Sequence, residues 1–160
     1  MPKEETFDLE KEYNEFKKKH KLPDFEKLNN EFELSSYKDI DPRFLLRNIR
    51  RKLIDRVASI LRFLENIIHP INSSVIVMNE IKYFDDAKLN KVNIIIKKLM
   101  LLERQSLNID LDLNEAEDAA FIDVFFKEWF DIKKELKDIA IILRDSWKEE
   151  EKTDTENYFG

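Results

Sequence analysis

The sequence predicts an all-α protein: a single-domain helical bundle of about five to seven helices with a long central helix over 42–69. Apolar residues recur at steps of three and four along most of the chain, the spacing of helices with one buried face. The only glycine among 160 residues is Gly160, which disfavours tight hairpins that need positive φ. Hydrophobic residues make up 42% and charged residues 39%, which suits a buried core under a strongly solvated surface.

The N-terminal part, residues 1–21, is predicted to form a polar helix over 7–20 that docks weakly. Thr6 is its expected N-cap. Asp24, after the break at Pro23, is expected to cap a short second helix over 25–34. One side of that second helix is apolar, with Phe25, Leu28 and Phe32.

The helix over 42–69 carries the clearest signals. Asp41 is a favourable N-cap, and Pro42 occupies the first helical position, where its missing N–H costs nothing. Pro70 ends the helix. The predicted buried stripe comprises Leu46, Ile49, Leu53, Val57, Ile60, Leu64, Ile67 and Ile68.

Two further helices are expected between Pro70 and the acidic loop over 108–113. Residues 73–84 contain a β-branched run, but with no second strand to pair with, a short helix is favoured. Asp85 or Asp86 then caps a helix through about 107. Its predicted buried stripe comprises Leu89, Val92, Ile96 and Leu99.

The C-terminal third is predicted as two helices separated by a bend near Phe130. Asn114, with Glu117 three residues later, resembles a capping box and opens the first of them, which runs to about 129. The second runs over 132–150. Together these elements make one bundle domain over 22–150, followed by a disordered tail over 151–160.

From Leu22 to Trp147 the chain resembles small uncharacterised helical proteins encoded in archaeal genomes. The resemblance implies an archaeal, cytoplasmic protein and carries no activity, cofactor or partner with it. The stretches on which it rests are 32–34 (FEL), 44–52 (FLLRNIRRK), Pro70, 84–86 (FDD), 98–104 (KLMLLER), 128–129 (EW) and 133–136 (KKEL).

No catalytic, cofactor-binding or metal-binding residue is predicted, and the absence of a recognisable motif argues against an enzyme. Without internal glycine or cysteine the chain lacks phosphate-binding loops, nucleophile elbows and thiolate sites. Glu65 and His69 lie one helical turn apart, but a helix-end histidine ordinarily contacts free carbonyls. Asp110-x-Asp112-x-Asn114 starts like a calcium loop and lacks the required glycine and final glutamate. An extended connector with one packed face is the simpler interpretation.

Charge is distributed unevenly although the net charge is only -6. Residues 42–64 contain seven basic residues against Asp55, a local +6, whereas residues 105–126 contain six acidic residues and no basic one. Pairing of these segments inside the fold is the first interpretation; a phosphate or RNA site and an acidic protein partner are the alternatives. The candidate anion or partner patch comprises Arg43, Arg47, Arg50 and Arg51, of which at least one of the last three is expected to pair internally.

Aromatic residues are concentrated on one face of the helix that starts at Asn114. This face is predicted to pack in the core, whereas Trp147 is expected to be partly exposed. The face comprises Phe121, Ile122, Phe125, Phe126 and Trp129.

These observations predict a non-catalytic helical binding or scaffolding module with an unidentified protein partner. The alternative is an RNA- or ribosome-associated accessory protein that uses the arginine patch. A cytoplasmic location is expected, since no stretch has the roughly 20 apolar residues that cross a bilayer. No membrane contact is predicted, and the protein is expected to be a monomer or a homodimer.

Overall fold

The computed structural model describes residues 7–158, with side chains through Glu149, and this part of the chain is all-helical. The prediction of an all-α fold with a long central helix is therefore confirmed. Two 3₁₀ turns, Leu34–Ser36 and Pro42–Phe44, connect α2 to α3. The α-helices are α1 (Leu9–Lys19), α2 (Phe25–Phe32), α3 (Leu45–Ile68), α4 (Val75–Ile81), α5 (Asp86–Asp110) and α6 (Glu115–Tyr158).

The α1 helix begins two residues later than predicted because Asp8 is its N-cap. The Asp8 carboxylate accepts a hydrogen bond from the Lys11 backbone N–H at 3.2 Å. The predicted cap, Thr6, lies outside the described residues. Tyr13 is fully buried, its hydroxyl donates to the Pro23 carbonyl at 2.9 Å, and its ring lies 5.3 Å from that of Phe25. One aromatic side chain thus holds this polar helix against the start of α2.

The α2 helix ends at Phe32, earlier than predicted, because Glu33 adopts a left-handed conformation with φ 51°. The Glu33 N–H still closes the helix by donating to the Asn29 carbonyl at 2.7 Å. A helix terminus of this kind usually carries glycine, and this chain has none there.

The long helix begins as predicted at Asp41, whose carboxylate accepts from the Arg43 N–H at 2.9 Å. Its first turn, Pro42–Phe44, is 3₁₀, and α3 follows to Ile68. Two predicted members of the buried stripe, Ile60 and Ile68, are only half-buried, and Leu61 is buried in place of Ile60. The same one-residue shift occurs in α5, where Ile95 is buried in place of Ile96, and the predicted Leu89 is also only half-buried.

Residues 75–81 are helical, which confirms the helical interpretation of the ambiguous segment. Ser74 caps α4, accepting from the Val77 N–H at 3.4 Å. α5 extends to Asp110, so the predicted loop over 108–113 is wrong for its first three residues. Ile109 is buried whereas Leu111 and Leu113 are about three-quarters exposed, so the predicted connector with one packed face is also wrong.

The predicted two C-terminal helices form the single helix α6, because residues 115–158 contain neither proline nor glycine to interrupt them. Asn114 caps α6 as predicted, accepting from the N–H groups of Ala116 and Glu117 at 3.1 and 3.3 Å. The tail also differs from the prediction, since the helix continues to Tyr158 through the strong helix formers of residues 148–152. The last two tail residues lie outside the described part.

Contacts between residues group the described chain into two compact units. The first unit contains the residues up to Val57 together with Leu102–Trp129. The second contains Ala58–Leu101 and the residues from Phe130 onward. Each unit has its own buried apolar side chains.

Candidate interaction sites

The predicted arginine patch lies in the first unit, where α3 faces the end of α5 and the start of α6. Arg47, Arg50 and Arg51 are spaced at i, i+3 and i+4, so they project from neighbouring positions of one helix face. All three reach the carboxylate of Asp110. Arg47 and Arg51 approach its Oδ1 at 3.3 and 3.2 Å, and Arg50 forms the shortest contact. The expected internal pairing of this face with the acidic segment is confirmed.

Arg50 is the centre of this network and has no exposed surface. Its Nε donates to Asp118 Oδ1 at 2.6 Å, and its Nη1 donates to the Ser106 carbonyl at 3.0 Å and to the Ser106 hydroxyl. Asp118 is itself only 5% exposed. No buried side-chain nitrogen or oxygen among the described residues lacks a hydrogen-bond partner. The guanidinium is therefore compensated by both charge and geometry, as a buried cation must be.

Arg47 closes the C-terminus of α5. Its Nη2 donates to the Asp110 carbonyl at 2.7 Å, and its Nη1 donates to the Asp112 carbonyl at 3.1 Å. The last carbonyls of a helix have no partner within the helix, and a cation there also interacts favourably with the helix dipole. Arg47 therefore supplies the C-cap that glycine provides in many other proteins.

The other members of the predicted patch remain exposed but are also paired. Arg51 is half-exposed beside Asp110. Arg43 is 80% exposed and forms an ion pair with Asp41 at 2.7 Å, which lowers the pKa of the Asp41 carboxyl. Burial raises the pKa of Asp110, but the hydrogen bonds and charges of Arg50 and Arg51 outweigh this and hold it below its usual value. The four arginines therefore do not form one free cationic surface.

The residues considered for metal binding do not form a metal site in the described part of the chain. Asp110 pairs with the arginines and Asn114 caps α6, so these two ligands of the calcium-like pattern point at protein partners. Glu65 and His69 are both exposed at the end of α3. Within the described residues, no three histidine, aspartate or glutamate side chains are grouped to hold a metal ion.

The aromatic face of α6 is part of the core of the first unit, as predicted. Phe125 stacks between Phe121 and Trp129, with both centroid separations at 5.9 Å. Phe32 of α2 packs on Phe125 and Trp129, and the Trp129 indole N–H donates to Glu31 at 3.0 Å. Phe126 is half-buried. This face is therefore filled by the chain itself.

The second unit contains an exposed apolar segment that the sequence analysis did not identify. Residues 70–79, here named the apolar segment, contain no charged residue, although 39% of the chain is charged. Its uncharged run of ten is the sequence signal that points to it. Four of its side chains are strongly exposed: Ile71 (81%), Val75 (77%), Ile76 (59%) and Met78 (48%).

The apolar segment is held in a defined conformation. Asn72 adopts φ 60° in the turn before α4, Ser74 caps the helix, and no residue of α4 is fully buried. At the other end, the Trp147 indole N–H donates to Glu80 Oε1 at 2.9 Å. Trp147 is 40% exposed, as predicted. The segment is therefore a capped and tethered helix that presents apolar side chains to solvent.

Comparison with known proteins gives no relative: no family model, no curated protein and no solved structure matches the chain. The archaeal resemblance and the cytoplasmic location therefore stay predictions. Among residues 7–158, no helix combines the length and apolar character needed to span a bilayer.

Proposed function

We propose that this protein is a non-catalytic helical binding module that holds a protein partner through the apolar segment of residues 70–79. The observation that carries this proposal is the exposure of Ile71, Val75, Ile76 and Met78 on one short, capped element. Scattered exposed apolar residues are ordinary, whereas a contiguous group commonly marks an interaction site.

The energetics favour a protein partner for this surface. Burial of apolar area contributes roughly 25 cal/mol per Å², so a partner that covers these side chains gains from each of them. The cap at Ser74 and the tether at Glu80 fix the helix before binding, which reduces the ordering cost of association. Since the segment carries no charge, the matching surface is expected to be an apolar recess.

An RNA-associated role is less well supported by the same observations. Phosphate binding needs cations that are free to release counterions on contact. Arg50 is buried, and Arg47 donates its hydrogen bonds to backbone carbonyl groups. The exposed Arg43 and Arg51 each form an ion pair with a carboxylate. RNA therefore serves as the competing outcome of the experiment.

The proposal is tested by crosslinking and affinity capture from a lysate of the source cells. Three baits are compared: the natural chain, the double variant I76S/M78S, and the control L111S/L113S. The control removes two apolar side chains that are even more exposed, but from the first unit. We expect the same protein to be captured by the natural chain and the control, and to be lost with I76S/M78S.

Nuclease treatment and salt separate the two functions. A partner held by apolar contact is retained after nuclease treatment and across a salt gradient, since apolar burial does not depend on counterion release. Capture that disappears with nuclease, or that persists unchanged with I76S/M78S, contradicts the proposal.

A further inference from the structure

A narrow groove in the second unit lies between α5 and α6. The two helices run in opposite directions along it, because Lys98 pairs with Glu135 at 2.9 Å while residues 88–91 lie beside residues 138–142. Ile95 and Ile139 form its buried floor, and Ile94 and Ile142 remain partly accessible. The groove has an apolar floor along which another surface can pack.

The two edges of the groove carry opposite charges. Lys88 and Lys91 line it on α5, and Glu135 and Asp138 line it on α6. Lys88 and Glu135 are engaged within the chain, with Asp85 and Lys98. Lys91 and Asp138 are both exposed, and neither forms an ion pair within residues 7–149. Lys91 and Asp138 thus flank the apolar floor on opposite edges without forming an ion pair with each other.

The size of the groove indicates what it accepts. Its volume of about 170 Å³ is well below the roughly 300–1,000 Å³ of typical small-molecule sites. It is close to the roughly 150 Å³ cavity that holds a benzene ring, so one or two apolar side chains fit in it. The groove is therefore suited to packing against a protein surface.

We propose that this groove is the interface of a homodimer, in which α5 of one copy lies against α6 of the other. A twofold axis parallel to the two helices brings the basic edge of each copy against the acidic edge of its partner. Lys91 then faces Asp138 of the second copy, and the same contact occurs twice, as an isologous interface requires. The exposed Ile94 of each copy packs on the apolar floor of the other.

The charge pattern makes the proposal testable by charge reversal. Sedimentation equilibrium of the full-length protein should show a monomer–dimer equilibrium. K91E and D138K should each raise the dissociation constant at least about tenfold, because each places like charges in contact twice. The controls K97E and E65K reverse exposed charges outside the groove and should leave the dissociation constant unchanged.

Mixing the two variants provides the decisive measurement. In a heterodimer of K91E with D138K both contacts regain opposite charges, so the mixture should dimerise as strongly as the natural chain. A protein that stays monomeric up to about 1 mM overturns the proposal. A dimer whose dissociation constant is unchanged by both charge reversals also overturns it. So does a mixture of K91E with D138K that dimerises no more strongly than either variant alone. Circular dichroism confirms that each variant is folded.

The dimer and the proposed partner binding use different residues of the second unit. I76S/M78S should leave the dissociation constant of the dimer unchanged, and K91E should leave the captured partner unchanged. Failure of one proposal is therefore distinguishable from failure of the other.

Discussion

The two units of the chain use their side chains in opposite ways. The first buries charge: Arg50 and Asp118 lie inside it, together with most of the buried apolar side chains of the described chain. The second unit contains most of the exposed large apolar side chains and no buried charged one among the described residues. The comparison indicates that buried charge is confined to the first unit among the described residues, whereas the second presents more apolar surface.

The largest effect is expected at the buried cation. R50A should lower the free energy of unfolding by about 3–5 kcal/mol, because it leaves Asp118 buried without its partner. The matched control is R51A. Arg51 contacts the same Asp110 from a half-exposed position, so R51A should lower the free energy of unfolding by less than about 1 kcal/mol. Urea denaturation measures both, and equal effects would show that burial of Arg50 is not what distinguishes the two arginines.

The next effect concerns the apolar cores of the two units along the same helix. L53A removes a buried side chain from the first unit, and L61A removes one from the second. Each should lower the free energy of unfolding by about 2–5 kcal/mol. I60A, at the half-buried neighbouring position, should lower the free energy of unfolding by less.

Tryptophan fluorescence measures the unfolding of each unit separately. Trp129 lies in the first unit and is the remaining tryptophan in a W147F background, whereas Trp147 lies in the second and remains in a W129F background. A single transition shared by both reporters would show that the units unfold together.

Acid should weaken the first unit through Asp110. Its pKa is lower in the folded state than the roughly 3.9 of an unfolded chain, so its ionised form favours folding. That stabilisation is complete above about pH 4 to 5 and is lost as the pH falls through the folded value. D110N should therefore be less stable than the natural chain at pH 7, with the difference shrinking toward pH 2. A difference that stays constant with pH would contradict this assignment.

The smallest effect is expected at the two residues with positive φ. E33G, at φ 51° in the first unit, should stabilise the protein by about 1 kcal/mol because glycine adopts this conformation without strain. N72G, at φ 60° in the second unit, should gain less, since asparagine already tolerates it. E33A keeps a Cβ and is the control, with little gain expected. Thermal unfolding resolves the order of the three variants.

The sequence predicted the helices well because their signals are local. The caps Asp41, Ser74 and Asn114 act within three residues of themselves, and the structure uses each of them. The buried stripes were displaced by one residue at Leu61 and Ile95 because the exact face that is buried depends on the neighbouring helices. Local spacing determines that a helix has an apolar face, and packing decides where that face is centred.

The sequence predicted that the arginines pair with the acidic segment, but not which arginine is buried. Opposite charge in residues 42–64 and 105–126 indicated pairing, but the choice of Arg50 as the buried member follows from its place between Ile49 and Leu53 on the buried face. Its partners lie 56 to 68 residues away, beyond any local pattern. The apolar segment was overlooked because its β-branched residues resemble a buried strand. Only the fold shows that no described residue covers Ile71, Val75, Ile76 and Met78.

The separation of Arg50 from its partners also has a consequence for the time course of folding. Contacts across 56 to 68 residues form only after a long chain loop has closed, whereas the turns of α3 and α5 form from neighbouring residues. The network is therefore expected to assemble after the main folding barrier. Because such a contact is absent from the transition state, its loss accelerates unfolding and leaves the folding rate nearly unchanged. Arg50 is thus expected to set how long a folded molecule persists.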